Sequence, residues 1–363
     1  MKKNLFLLLA VFFGVVGCKN QQPSAESLKD ALTDKFYIGV AINAPQITGV
    51  DTNSVALIKQ HFNSITAENC MKSGELQPEE GQFYFDLADQ FIKFGEENNM
   101  YIIGHTLVWH SQAPGWFFTD KDGKDVSREV LIERMKNHIY TVVGRYKGKV
   151  KGWDVVNEAI EDRGSSYLRQ SKWLQIIGPD YVARAFEFAH AADPEAVLLY
   201  NDYNETNSVK RQKMIHLVQE LQDQGVPIHG IGLQAHWSIY HPSMDSIRAA
   251  LDDYLLLGLP IHFTELDLSM FRFEDPARDC TWPTREMLER QAQVYGEIFA
   301  LLRDYHQHIA SVTLWGVADD HTWLDDFPVR SRKNWPLLFD EEHRPKASFD
   351  RVVEFSKGGG SER

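Results

Sequence analysis

The chain has 363 residues, 43% apolar and 25% charged, the mix of a globular protein with room for one large domain or two ordinary ones. Its 38 lysines and arginines against 51 acids leave a net charge of −13, which argues against a polyanionic partner such as nucleic acid and is compatible with a neutral substrate. Aromatic residues reach 12%, nine of them tryptophan; such rings fill a core or line a groove for flat amphipathic ligands.

Residues 1–18 read MKKNLFLLLAVFFGVVGC. Lys2 and Lys3 precede an apolar run, Leu5 to Val16, that is too short to span a membrane as a folded helix, and small Gly17 then precedes Cys18. This is a signal peptide, outside the fold. Its VVGC ending resembles a bacterial lipoprotein signal in which Cys18 becomes the lipidated N-terminus; ordinary cleavage near Gly17 is the alternative. Two or more acyl chains on Cys18 would anchor the protein stably to a membrane, so an exported, membrane-anchored location in the cell envelope or at its surface is expected. Residues 19–34, KNQQPSAESLKDALTD, read as a polar tether, residues 35–355 as one domain without internal linker, and residues 356–363 as a disordered tail. Cys70 and Cys280 remain; disulfides are permitted in an exported protein, but nothing around these two pairs them, and two free thiols are expected, Cys70 partly buried.

Eight β-rich runs follow: FYIGVAI (36–42), FNSIT (62–66), MYIIGHT (100–106), VKGWDVV (150–156), AVLLYN (196–201), GIGLQ (230–234), PIHFTE (260–265) and SVTLW (311–315). Between them lie segments such as LIERMKNHIYTVVGRY and YVARAFEFAHAA, whose apolar residues recur every three or four positions. Strand and helix alternating eight times predict parallel pairing with helices outside. The nearly continuous apolar strands predict burial on both faces. The expected fold is α/β, a (β/α)8 TIM barrel, with a doubly wound open sheet as the alternative.

A barrel of this kind gathers its active site at the C-terminal ends of the strands, and polar residues do cluster there. After the second run comes TAENCMK, with Glu68, Asn69 and Lys72; the third leads into GHTLVWH, with His105, Trp109 and His110; the fourth ends on Asn157 and Glu158. The fifth ends in NDYN, the sixth in LQAHW with Gln234 and His236, the seventh in TELD with Glu265 and Asp267, and the eighth at Trp315. One polar strand end is an ordinary helix cap; seven in succession need another reason. Glu158 and Glu265 each follow an apolar strand directly, on opposite sides of the expected barrel mouth. Two carboxyls across a cleft are what glycosidic bond cleavage needs, one to protonate the leaving oxygen and one to stabilise or attack the anomeric carbon.

WDVVNEA, TELD, GHTLVWH, ENCMK and LYNDYN resemble the signature segments of glycoside hydrolase family 10, the endo-β-1,4-xylanases. The likeness runs from residue 36 to about 353 and includes PLLFDEEHRPKASF. It implies a (β/α)8 barrel, a retaining mechanism, xylan and xylo-oligosaccharides as substrates, and neither cofactor nor metal; a monomer is expected. By motif, Glu158 matches the acid/base and Glu265 the nucleophile. Glu68, Asn69, Lys72, His105, Trp109 and Gln112 match the glycone-side sugar contacts, Gln234 and His236 those around the cleaved sugar, and Trp315 and Trp323 the stacking walls. Tyr203 and Trp237 are aglycone-side candidates, with a core role as the alternative for Trp237, and His110 reads as a hydrogen-bonded neighbour of the site. Asn157 beside the acid is placed to bond the sugar 2-hydroxyl, an interaction that strengthens in the transition state.

A His236–Asp267 network would hold Glu265 oriented and ionised. Glu158, close to that charge, would keep its proton until the glycosyl–enzyme forms. The pattern departs from the family at Ser73, where Trp is common, at Cys70 and at His321; none of these is a catalytic acid. Two other functions compete. His105, His110, His236, Glu158 and Glu265 are residue types that ligate zinc, but Lys72 and several tryptophans at the same face disfavour a dication. A lipid-tethered glycan-binding barrel without activity is the other, and retention of both glutamates and Asn157 speaks against it.

Overall fold

Each of the eight β-rich runs forms a strand in the computed structural model, which describes residues 27–356. The strands are β1 (Tyr37–Ile42), β2 (Ser64–Ala67), β3 (Tyr101–Trp109), β4 (Gly152–Asn157), β5 (Val197–Asp202), β6 (Gly230–Leu233), β7 (Ile261–Ser269) and β8 (Ile309–Leu314). All pair in parallel in chain order, β1 also pairs with β8, and the closure between β6 and β7 completes a (β/α)8 barrel. A three-residue strand, His236–Ser238, adds alongside the end of β7.

The intervening helices begin where the sequence supplies a cap and bury the stripe that the apolar spacing predicts. Ser127 accepts from the amide of Val130 to start the helix Arg128–Arg145, which buries Leu131, Met135, Ile139, Val142 and Val143. The helix Tyr181–Ala192 coincides with YVARAFEFAHAA. Asn207 caps the helix Ser208–Asp223 with bonds to two amides, which fixes Lys210 in its first turn. Trp153 on β4 is fully buried.

Register sets the floor of the mouth. Trp109 pairs with Asn157, Asn157 with Asn201, and Asn201 with Gly232, so these strand ends stand at one level. At Gly232 a Cβ would lie 2.4 Å from Asn201 Oδ1; the missing side chain lets the Asn201 amide cross the mouth toward β7.

Three expectations differ from the fold. Residues 28–34, assigned above to the tether, begin with a short helix, Leu28–Ala31, capped by Ser27. Leu28 and Leu32 are buried there, and Lys29 Nζ bonds the carbonyl of Lys59 at 2.6 Å. Two leucines five residues or fewer apart, with a serine cap, outweigh the polar residues around them. The third and seventh strands run on past His105 and Glu265, through register shifts at His105–Val108 and Phe263–Leu266. These two residues therefore project from within strands, where a barrel holds a side chain more rigidly than a loop does. Cys18, residues 19–26 and residues 357–363 lie outside the described residues. Cys70 is buried and Cys280 half-buried, both unpaired.

Candidate active site

Glu265 projects from the middle of β7 and is 5% exposed. His236 is wedged between it and Asp267, with Nε2 3.1 Å from Glu265 Oε2 and Nδ1 3.0 Å from Asp267 Oδ2. Burial alone would lower the proton affinity of His236, but Asp267 and Glu265 raise it to about 10. The ring is then an imidazolium at neutral pH, and both nitrogens donate. Asn201 Nδ2 donates to the other Glu265 oxygen at 2.8 Å, and Thr264 Oγ1 holds the Asn201 amide by donating to its oxygen at 2.6 Å. Burial pushes the Glu265 carboxyl up; the His236 bond, the fields of His105 and His236 and the Asn201 bond more than offset it and hold Glu265 below the usual carboxylate range.

Glu158 follows β4 and turns the chain with φ +58°. Trp109 Nε1 donates to its Oε2 at 2.9 Å and Gln234 Nε2 to its Oε1 at 3.1 Å. Asn157, 3% exposed, bridges the two acids: its side-chain oxygen lies 2.9 Å from Asn201 Nδ2, and its Nδ2 lies 3.3 Å from Glu158 Oε1. Glu158 is raised above the usual range, as the sequence reading requires, but for a different leading cause. Burial comes first and the charge of Asp202 second, while Glu265 contributes less.

The remaining predicted side chains surround this pair. Lys72 is buried, with Nζ 2.9 Å from both Asn69 Oδ1 and Gln112 Oε1 and 5.2 Å from the centre of the Trp109 ring. Asn69 Nδ2 donates to Glu68 Oε1 at 3.2 Å. His105 Nδ1 lies 2.8 Å from the buried Asp154 Oδ2, which fixes its ring and turns Nε2 away from Asp154. Trp315 packs edge-on to His105 with ring centres 5.3 Å apart. Trp323 covers His236 at 4.7 Å and donates Nε1 to Asp267 Oδ2 at 2.8 Å. Exposed Phe327 stacks on Trp323 at 4.8 Å and extends the aromatic wall outward. His110 stands at the rim with Nδ1 3.8 Å from Glu158 Oε2.

Other placements correct or add to the sequence reading. Trp237 takes the core alternative: it is 4% exposed and donates Nε1 to buried Glu205 at 2.7 Å. Tyr203 is half-buried at the mouth, and its hydroxyl accepts from Arg169 Nη2 at 2.9 Å. His321, a departure from the family pattern, sets Nε2 3.2 Å from Glu68 Oε2, and this bond raises its proton affinity. Asn201, Asp202, Arg169 and Lys210 were not singled out from sequence as site residues. The run NDYN at the end of β5 was the available signal for the first two; Arg169 and Lys210 leave none. Asp51, Asp320 and His343 bring ligand-type atoms within 4.8 Å of one another from three other segments, a grouping that is common without an ion.

The arrangement is a buried Glu265 and a half-buried Glu158 pushed apart in proton affinity, with hydrogen-bond donors and flat rings around them. The family model for glycosyl hydrolase family 10 matches residues 27–355. The chain is 54% identical over 335 residues to an endo-1,4-beta-xylanase of Geobacillus stearothermophilus, covering 91% of this chain and 98% of that protein. It is 51% identical over 327 residues to endo-1,4-beta-xylanase B of Paenibacillus barcinonensis, covering 90% and 97%. Among solved structures it is similar to xylanase XynB from Paenibacillus barcinonensis complexed with a conduramine derivative, with TM-score 0.88, 51% identity and coverage of 91% and 98%.

Proposed function

The chain belongs to glycosyl hydrolase family 10, and from that premise we propose that it is a retaining endo-1,4-β-xylanase with Glu265 as nucleophile and Glu158 as acid/base. The observation that carries the reading is the opposite bias of the two carboxyls, Glu265 held below the usual carboxylate range by His236 and Asn201 and Glu158 raised above it.

In the first step a Glu265 oxygen bonds the anomeric carbon as the glycosidic bond breaks, and the Glu158 proton goes to the departing sugar oxygen. The Glu265 charge is then gone. Glu158 takes a proton from water, the water oxygen attacks the anomeric carbon, and the ester to Glu265 breaks to restore both groups with net retention. The Asn157 amide bonds the sugar 2-hydroxyl during both steps. Glu68, Asn69, Lys72, His105, Trp109 and Gln112 bind the glycone side, Gln234 and His236 the cleaved sugar, Tyr203 the aglycone side, while Trp315 and Trp323 cover the C–H faces of the rings. Asp267 orients His236 and, through it, Glu265. Release of reducing ends from xylan tests the reading. Glu265→Ala should abolish it even for aryl xylosides with good leaving groups, because no other group is placed to attack; substantial residual turnover of such a substrate refutes the assignment.

The N-terminal sequence supports a further part of the proposal. Cys18 carries the lipid anchor, and a monomeric enzyme works tethered at the cell envelope or surface.

A further inference from the structure

Glu158 occupies a backbone conformation with φ +58°, in the left-handed region that non-glycine residues adopt only where surrounding contacts impose it. Its turn is gripped on every side. The Glu158 amide donates to the Asn201 carbonyl at 2.9 Å, and Arg169 Nε donates to the Glu158 carbonyl at 3.0 Å. The next two amides, of Ala159 and Ile160, both donate to the Tyr200 hydroxyl at 3.1 Å. Tyr200 in turn donates its proton to Asp202 Oδ2. A phenol has one proton and two lone pairs, so all of its capacity is used, and it can accept both amides only while Asp202 takes the proton.

Asp202 is fully buried, and Lys210 Nζ lies 2.8 Å from its Oδ1. Lys210 is 2% exposed and sits in the first turn of a helix, where the backbone dipole disfavours a cation. It is held there by Asp202, by Asp162 at 2.7 Å and by the Tyr203 ring face at 3.5 Å. A buried cation in that place is costly without such partners. None of these groups touches the anomeric centre as the mechanism uses it.

Resting on the acid/base reading of Glu158, we propose that the Tyr200–Asp202–Lys210 relay, with Arg169, is a positioning device that locks the left-handed turn and aims the Glu158 carboxyl at the glycosidic oxygen. Lys210 holds Asp202 Oδ1, Asp202 Oδ2 fixes the Tyr200 proton, Tyr200 captures the two amides beyond Glu158, and Arg169 holds its carbonyl. The charge of Asp202 also favours the protonated Glu158 that the first step needs.

The groups facing Glu158 are Trp109 at the end of β3 and His110 just beyond it, Lys72 from the segment after β2, Asn157 beside it on β4, Asp202 from β5, Gln234 just past β6, Glu265 from β7 and Arg169 from the loop after β4. Asp202→Asn changes one charge among them. Its removal should move the alkaline limb of kcat/KM on xylan, which follows loss of the acid's proton, to lower pH. Tyr200→Phe should lower kcat/KM on xylan by about 10-fold to 100-fold, the scale of a misaimed general acid. The same variant should leave glycosylation by a dinitrophenyl xylobioside, which needs little protonation, within about 3-fold. A merely structural loss would depress both substrates alike. Arg169 is half-buried at the rim, so Arg169→Gln gives a second variant with the same expected signature should Tyr200→Phe fail to fold. Equal losses on the two substrates, or an alkaline limb in Asp202→Asn that stays or rises, overturn the proposal. Glu158→Ala, assayed alongside, separates the two levels. If it too loses both substrates equally, the acid/base reading fails and the positioning proposal falls with it; if it is selective and Tyr200→Phe is not, only the positioning proposal fails.

Discussion

Replacing His236 by Asn removes the cation wedged between Glu265 and Asp267 and leaves two buried carboxylates on β7 without it. The ring is 12% exposed, so solvent screens little of the interaction. A rise from 6.5 to about 10 corresponds, at 1.36 kcal/mol per unit, to about 5 kcal/mol. That agrees with the ~3–5 kcal/mol typical of breaking a buried ion pair. With an unfolding entropy of about 2.1 cal/mol/K per residue over roughly 330 described residues, the midpoint should fall by about 7 °C. The sign with pH is fixed by the direction of the shift. A group whose folded value is raised contributes fully below its unfolded value of 6.5 and loses the contribution as pH climbs through about 10. Thermal unfolding should therefore separate wild type from His236→Asn at pH 6 and bring them together above about pH 10.5. In kinetics, loss of the cation raises the proton affinity of Glu265, so the acidic limb of kcat/KM should move to higher pH. A melting gap of equal size at pH 6 and pH 10.5, or an acidic limb that does not move, would refute the assigned charge network.

Glu158→Ala should cut cleavage of xylan by ~10²–10⁴, while an activated aryl xylobioside still forms the intermediate and shows a burst; added azide should restore turnover and give the β-azide, and an α-azide would contradict retention. In a crystal structure the Glu158 and Glu265 carboxyls should stand about 5–5.5 Å apart, and a gap near 9 Å would mean inversion. Gly104→Ala places a Cβ 2.2 Å from the buried Trp153 ring, so overpacking should cost about 1–3 kcal/mol, measured by denaturant unfolding, with little direct effect on Glu158 or Glu265. Cys18→Ser should release active enzyme from the membrane fraction, and a variant that still sediments with membranes would exclude the lipid anchor.

The sequence determined the eight strands, their helices, the ring of polar strand ends and the carboxylate pair, because these follow from local patterns. Apolar spacing reports the period of an element, and a change from apolar to polar reports where burial stops. The pairing of His236 with Glu265 and Asp267 was also legible, since the barrel makes successive strands neighbours. Only the tertiary structure decided what lies behind Glu158. Lys210 meets Asp162 across 48 positions of chain, and Arg169 reaches the Glu158 carbonyl from a loop whose sequence carries no periodic signal. The leading influences on Glu158, burial and Asp202 ahead of Glu265, depend on distance and solvent exclusion, which strand order does not report. The same holds for Trp237, polar enough for a mouth and apolar enough for a core, where a buried acceptor on Glu205 made the choice. At residues 28–32 a polar stretch folded because two leucines found a surface to cover, and a surface exists only once the rest of the barrel has closed.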